Sequence, residues 1–159
     1  ERAFYGNDFP FFKPNDLDIG KVETSLDSLS VLGYKQARKV PKGSILVTCI
    51  GSIGKTGITQ VEGAFNQQIN AIIPFECIDN YFIYYLMLSK EIQEQLNTKA
   101  SATTIAILNK NKFENTLIPL PPIAEQHRIV QKIEQPFTLV DTIENLKEQL
   151  KSDVVYYHF

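Results

Sequence analysis

The stretch Pro41-Lys42-Gly43-Ser44-Ile45-Leu46-Val47-Thr48-Cys49-Ile50-Gly51-Ser52-Ile53-Gly54-Lys55-Thr56-Gly57-Ile58-Thr59-Gln60 decides the fold class. Two short runs rich in β-branched residues, Ser44–Ile50 and Thr56–Gln60, are separated and bounded by glycines and a proline. That is the punctuation of strands, not of a helix. Further strands are expected at Ile69–Phe75 and Asn115–Leu120. Asp79 is a suitable N-cap, and Phe82, Tyr85, Leu86, Leu88, Ile92 and Leu96 follow at helical spacing, which predicts one helix running toward Leu96. A shorter helical turn is expected over Leu108–Glu114. Residues 1–120 therefore read as a mixed α/β body of short strands and a few helices, without internal repeats.

The character changes at Pro119-Leu120-Pro121-Pro122. Proline fixes φ and disfavours helix before it, yet it suits a first helical turn. Beyond this hinge, Ile129, Ile133, Phe137, Val140, Ile143, Leu146 and Leu150 span 21 residues in six steps, a mean of 3.5. That is the coiled-coil period. A continuous helix from 123 to 150 would be on the order of 40 Å long. The alternative is an ordinary amphipathic helix packed on its own domain. Pro136 removes a backbone hydrogen bond, at a cost of about 3 kcal/mol, and predicts a kink or break. The domains are thus 1–120 and 121–159, the latter a proline hinge and a dimerisation or docking helix.

The chain has 159 residues, 43% of them hydrophobic, enough for a core without staples. A net charge of −2 predicts no strong field and argues mildly against nucleic-acid binding. Cys49 and Cys77 lie 28 residues apart without a C-x-x-C motif, and Cys49 reads as a buried free thiol suited to a reducing cytoplasm. No apolar run approaches the ~18 residues of a membrane span, and no signal peptide is visible. The sequence begins at Glu1 rather than methionine, so a fragment of a longer protein is expected.

Tests for chemistry come out negative. Gly51-Ser52-Ile53-Gly54-Lys55-Thr56 has two residues between its glycines where a phosphate-cradling loop needs four, and strand rather than helix follows. A tight turn presenting Ser52 and Lys55 outward, within reach of a DNA phosphate, is the better reading. Leu120-Pro121-Pro122-Ile123 lacks the amide and aromatic residues with which an amino-methyltransferase loop holds a base. His127 and His158, 31 apart, have no neighbours at metal-ligand spacing. No nucleophile–base pair or acid/base couple stands out, and neither metal nor cofactor is expected.

The distribution of charge is more informative than its total. Residues 28–61 contain no acid but carry Lys35, Arg38, Lys39, Lys42 and Lys55. Residues 95–113 again lack acids and carry Lys99, Lys110 and Lys112 amid Ser101, Thr103, Thr104, Asn109 and Asn111. Two such segments either form one cationic face that positions phosphates and offers amides and hydroxyls to base edges, or are simply solvated loops. Asn66-Gln67-Gln68 and Asn70 supply amides suited to adenine, but side-chain closure of a turn is the favoured role.

The order of several motifs resembles the target recognition domain of type I restriction–modification DNA specificity subunits. The motifs are Val40-Pro41-Lys42-Gly43-Ser44-Ile45-Leu46-Val47, Gly51-Ser52-Ile53-Gly54-Lys55, Ala64-Phe65-Asn66-Gln67-Gln68-Ile69 and Ala102-Thr103-Thr104-Ile105. The last runs from Ile118-Pro119-Leu120-Pro121-Pro122 through Ile123-Ala124-Glu125-Gln126-His127-Arg128-Ile129-Val130. The resemblance implies an α+β recognition head, reading one half of a bipartite double-stranded DNA target. It also implies a long C-terminal helix that pairs as an antiparallel coiled coil and docks methyltransferase subunits, with the restriction subunit a further partner. One head and one helix make half a specificity subunit, so a homodimer through the helix is expected, non-catalytic and cytoplasmic. Two features depart from the family pattern: the segment usually preceding residues such as Tyr5–Pro14, and the uninterrupted helix that Pro136 disturbs. The apolar tail Val154–Phe159 suits a docked position. The rival from another class is a protein-interaction module without DNA binding, dimerising through the same helix. An enzyme acting on nucleotides or DNA would need a catalytic set that the sequence does not display.

Overall fold

The computed structural model describes residues 2–101 and 105–156. A 3₁₀ turn, Arg2–Phe4, leads into β1 (Tyr5–Phe12), and a second, Pro14–Ile19, precedes β2 (Lys21–Val22) and β3 (Ser28–Leu29). Then come α1 (Val31–Gln36), β4 (Arg38–Val40), β5 (Ile45–Thr48), β6 (Thr56–Thr59), β7 (Gly63–Phe65) and β8 (Ile69–Ile72). The helices α2 (Asn80–Leu88), α3 (Lys90–Lys99), α4 (Lys110–Glu114) and α5 (Ile123–Tyr156) complete the chain. It divides into two units, Glu1–Leu120 and Pro121–Phe159.

The head is an α+β unit with two four-stranded sheets, ordered β3-β1-β7-β4 and β2-β6-β5-β8. β5 is the centre of the second sheet, antiparallel to both β6 and β8. Its residues Ile45, Leu46 and Val47 are fully buried, which is why this strand reads as an unbroken apolar run instead of alternating. Phe12, Leu17, Val22, Val40, Leu46 and Ile69 form a core cluster drawn from both sheets. Burying a side chain the size of Phe12 contributes roughly 1.5–3 kcal/mol. Gly63 makes that position possible, since a Cβ there would sit 2.5 Å from the Phe12 ring.

Three expectations need correction. The helix toward Leu96 is two helices. Asp79 caps α2 as expected, accepting from the Phe82 N–H, but Ser89 is extended (ψ 148°) and serves as C-cap of α2 and N-cap of α3. Its hydroxyl accepts the Ile92 N–H, so the chain turns without leaving that donor unpaired. Asn115–Leu120 is not a strand. There the Gln95 amide stands in for a sheet neighbour, donating to the Leu117 carbonyl at 3.1 Å and accepting its N–H at 3.2 Å. The third concerns Pro136, which lies inside α5 without breaking it. One missing donor is tolerated in a 34-residue helix whose turns continue on both sides of it.

The second unit, the α5 helix, spans about 50 Å at 1.5 Å per residue. Gln126 donates from its side chain to the Pro121 carbonyl at 2.8 Å, tying the first turn to the proline hinge. Ile129 and Ile133 are half-buried. Phe137, Val140, Ile143, Leu146 and Leu150 are all exposed, the least of them Ile143 at 44%. The described residues include no helix long and apolar enough to cross a membrane.

Candidate nucleic-acid interface

The β5–β6 turn is built around Thr48. Its backbone N–H donates to Lys55 O at 2.9 Å, its carbonyl accepts from Gly54 N–H at 3.0 Å, and its hydroxyl accepts from Lys55 N–H at 3.0 Å. The same hydroxyl donates to the Ser52 carbonyl. Gly51 and Gly54 have φ of 79° and 86°, a region where only glycine is unstrained. The amides of Gly51, Gly54 and Lys55 are thus spent inside the protein and are not offered to a nucleotide phosphate.

That turn is where the two acid-free segments meet. Gly51 N–H donates to Ala106 O at 2.9 Å, and Leu108 N–H donates to Cys49 O at 2.9 Å, with Ile50 and Ile107 bridged antiparallel. The Asn66–Gln68 turn joins the same end of the sheet. Cys49 N–H donates to Gln68 O at 2.7 Å, and the Cys49 thiol to Gln67 O at 3.7 Å. Burial pushes the Cys49 thiol above its usual range, partly offset by the nearby Arg38 charge.

The cations fall into two groups. Lys35, Arg38, Lys39 and Lys42 are exposed along α1, β4 and the following loop, with no carboxylate partner among the described residues. The Arg38 guanidinium lies 5.0 Å from the Phe65 ring centre. Lys39 lies 5.1 Å from that of Tyr34, which itself stacks on Phe9 at 3.9 Å.

The other cations are tied down. Lys55 is not simply presented outward, because its ammonium sits 2.6 Å from Asp18, an acid outside the acid-free segment. Lys110 lies 3.4 Å from Glu114, and Lys99 donates to the Asn115 carbonyl at 2.7 Å. Asn109 caps α4, accepting the Lys112 N–H at 2.9 Å, and Lys112 is half-buried. Ser52 is exposed, whereas Thr103 and Thr104 lie outside the described residues.

A cleft of about 650 Å³ brings Arg38 and Lys39 of the first segment to the same opening as Lys110 of the second, over a floor that includes Phe65, Ile69 and Phe113. Thr116, which also lines it, carries a buried hydroxyl with no hydrogen-bond partner among the described residues. Among the described residues, no cluster of His, Cys, Asp and Glu is placed to hold a metal ion. Gln67, which sequence reasoning left within a structural turn, is exposed at the tip of that turn. The amide run was visible in the sequence; which of its three side chains stays free was not.

The described residues thus form a two-sheet α+β head with joined acid-free loops, followed by a long helix with an exposed apolar stripe. Residues 2–152 match the family model described as "Type I restriction modification DNA specificity domain", and the chain belongs to that family. It is 33% identical over 150 residues to the HindI specificity subunit of Haemophilus influenzae, covering 91% of this chain and 33% of that protein. It is 35% identical over 129 residues to the EcoBI specificity subunit of Escherichia coli, covering 79% and 26%. The chain therefore spans about a third of the length of the relatives it matches. Among solved structures, the HsdS subunit from Thermoanaerobacter tengcongensis shares the fold with a TM-score of 0.67 at 21% identity, over 91% of this chain and 34% of that one. A chain from a study of type I R-M complex assembly and conformational transition superposes at 0.69 and 22% identity, over 98% and 38%.

Proposed function

We propose that this chain is a non-catalytic DNA specificity element that reads one half of a bipartite target in double-stranded DNA. It directs methyltransferase subunits, and with them a restriction subunit, to that target. The head over 1–120 is the target recognition domain, and 121–159 is a proline hinge with a dimerisation and docking helix. The observation that carries the reading is the junction of the two acid-free segments at Gly51 and Ala106. It sets the exposed Ser52 close to the loop leading to Asn109, while Lys35, Arg38, Lys39 and Lys42, on α1, β4 and the loop beyond, are exposed without a carboxylate partner among the described residues. Cations position phosphates, and hydroxyls and amides read base edges.

The exposed stripe of α5 supplies the partner surface. Its 3.5-residue period suits an antiparallel pair with a second such helix, contributed by an identical chain. Two identical heads set apart by that coiled coil would recognise a palindrome interrupted by unspecified bases. Mapping methylated sites after co-expression with a type I methyltransferase subunit tests the whole scheme: two half-sites at a fixed spacing are expected, and methylation without sequence preference refutes it.

The apolar floor of the 650 Å³ cleft, with Phe75 78% exposed beside it, favours a second reading, a head that binds protein. Replacing Lys39 and Lys42 by glutamine separates the two. A DNA reader loses duplex affinity across sequences, whereas a protein-binding module keeps its partner.

A further inference from the structure

We propose that Gln67 is a specificity-determining residue, whose terminal amide reads an adenine in the half-site recognised by this head. The inference rests on the DNA-reading function above and names the side chain that carries one position of it.

Four amides crowd this end of the sheet, and three of them are engaged wholly or in part within the protein. Asn66 accepts the Gln68 N–H on Oδ1 at 3.0 Å and donates from Nδ2 to Gln68 Oε1 at 2.9 Å. That pairing occupies Asn66 and the acceptor of Gln68 together. Asn70 donates from Nδ2 to the Leu108 carbonyl at 3.4 Å. Only Gln67 is both exposed and without a side-chain partner among the described residues.

Its backbone, by contrast, is fixed from both sides. The Ile69 N–H closes the turn onto Asn66 O at 3.3 Å, and the Asn66 side chain closes a smaller turn inside it. The Gln67 carbonyl receives the Cys49 thiol, and the next carbonyl receives the Cys49 N–H. Cys49 leads through Ile50 into Gly51, which is bonded to the second acid-free segment. A glutamine on such a frame keeps only its own rotamers free, which is the preorganisation that a recognition contact needs.

Its chemistry selects the base. A glutamine amide offers one acceptor and one donor side by side, matching the N6 donor and N7 acceptor that adenine shows in the major groove. Arg38 is well placed beside it, because it pairs with Phe65 across β4 and β7, and Phe65 immediately precedes the turn. A guanidinium there can hold a phosphate while the glutamine reaches the base edge.

The test is selection from a randomised duplex pool by the full chain in complex with a type I methyltransferase subunit, for wild type, Gln67→Ala and Gln67→Glu. Thermal melts of each variant confirm the fold. The expected wild-type half-site contains an A·T pair at which Gln67→Ala relaxes discrimination by roughly 10- to 100-fold, with the other positions intact. Gln67→Glu is expected to shift that position toward C·G, because a carboxylate accepts from the cytosine amino group. A selective wild type whose site is unchanged in Gln67→Ala, or whose altered position is not A·T, overturns the inference alone. A wild type that selects no sequence overturns the DNA-reading function and this inference with it.

Discussion

Replacing Asn66 by alanine removes the clasp that shapes the turn carrying Gln67. Asn66 is 9% exposed and makes two side-chain hydrogen bonds, accepting from the Gln68 N–H and donating to its Oε1. Each such bond contributes about 1 kcal/mol net, and a half-buried N–H left without an acceptor adds a comparable desolvation cost. The expected loss is therefore about 2–3 kcal/mol. For a head of this size, at about 4 °C per kcal/mol, the melting temperature should fall by roughly 10 °C. Urea unfolding at 25 °C, followed by circular dichroism, measures the loss directly. Asn66→Asp keeps the acceptor and gives up only the donor, so it should fall between alanine and wild type. Gln67→Ala, on the exposed tip, should stay within about 0.5 kcal/mol. If Asn66→Ala is also that mild, the turn is held by other means and the rigid frame argued for Gln67 does not exist.

The buried Thr116 hydroxyl lacks a partner among the described residues, so Thr116→Val should leave stability unchanged or raise it slightly in calorimetry; a loss above about 1 kcal/mol would show that the hydroxyl is bonded. Cys77 is exposed and Cys49 is buried with its thiol pushed up, so at pH 8 one thiol should react promptly with an aromatic disulfide reagent and the other only on unfolding. Two prompt thiols in the native protein would contradict this packing. For duplex binding, Lys39→Gln with Lys42→Gln should flatten the salt dependence by about 0.9 in log–log slope for each phosphate that these lysines neutralise, and an unchanged slope would remove both from the interface.

Which parts of this fold are legible in the sequence follows from where their determinants lie. β5, β6 and β8 are legible because each is a short run rich in apolar or β-branched residues, bounded by glycine, proline or turn residues. β1 is not, since Tyr5–Phe12 contains Gly6, Asp8 and Pro10, and its pairing comes from β3 and β7 far along the chain. The division of the helical region at Ser89 is equally hidden: serine suits a cap or a helix surface, and tertiary packing chooses between them. In the candidate interface the cation-rich segments can be read directly, and the Lys110–Glu114 pair follows from i,i+4 spacing. The capture of Lys55 by Asp18 cannot, because only the fold brings them together. The same holds for Gln67, which is singled out by what its neighbours bond to.

The strand pairing of the head also sets an order of events during synthesis. β1 and β2 each take a parallel partner much later in the chain, Phe11 opposite Ala64 and Lys21 opposite Ile58. The first of these ladders must wait for β7 to leave the ribosome and the second for β6, and such distant contacts are slow to close. Until then Phe11 and Phe12 lack their β7 neighbours, and β1 has only its antiparallel partner β3. The N-terminal strand, first to be made, completes its sheet only after the turn between β5 and β6 has emerged.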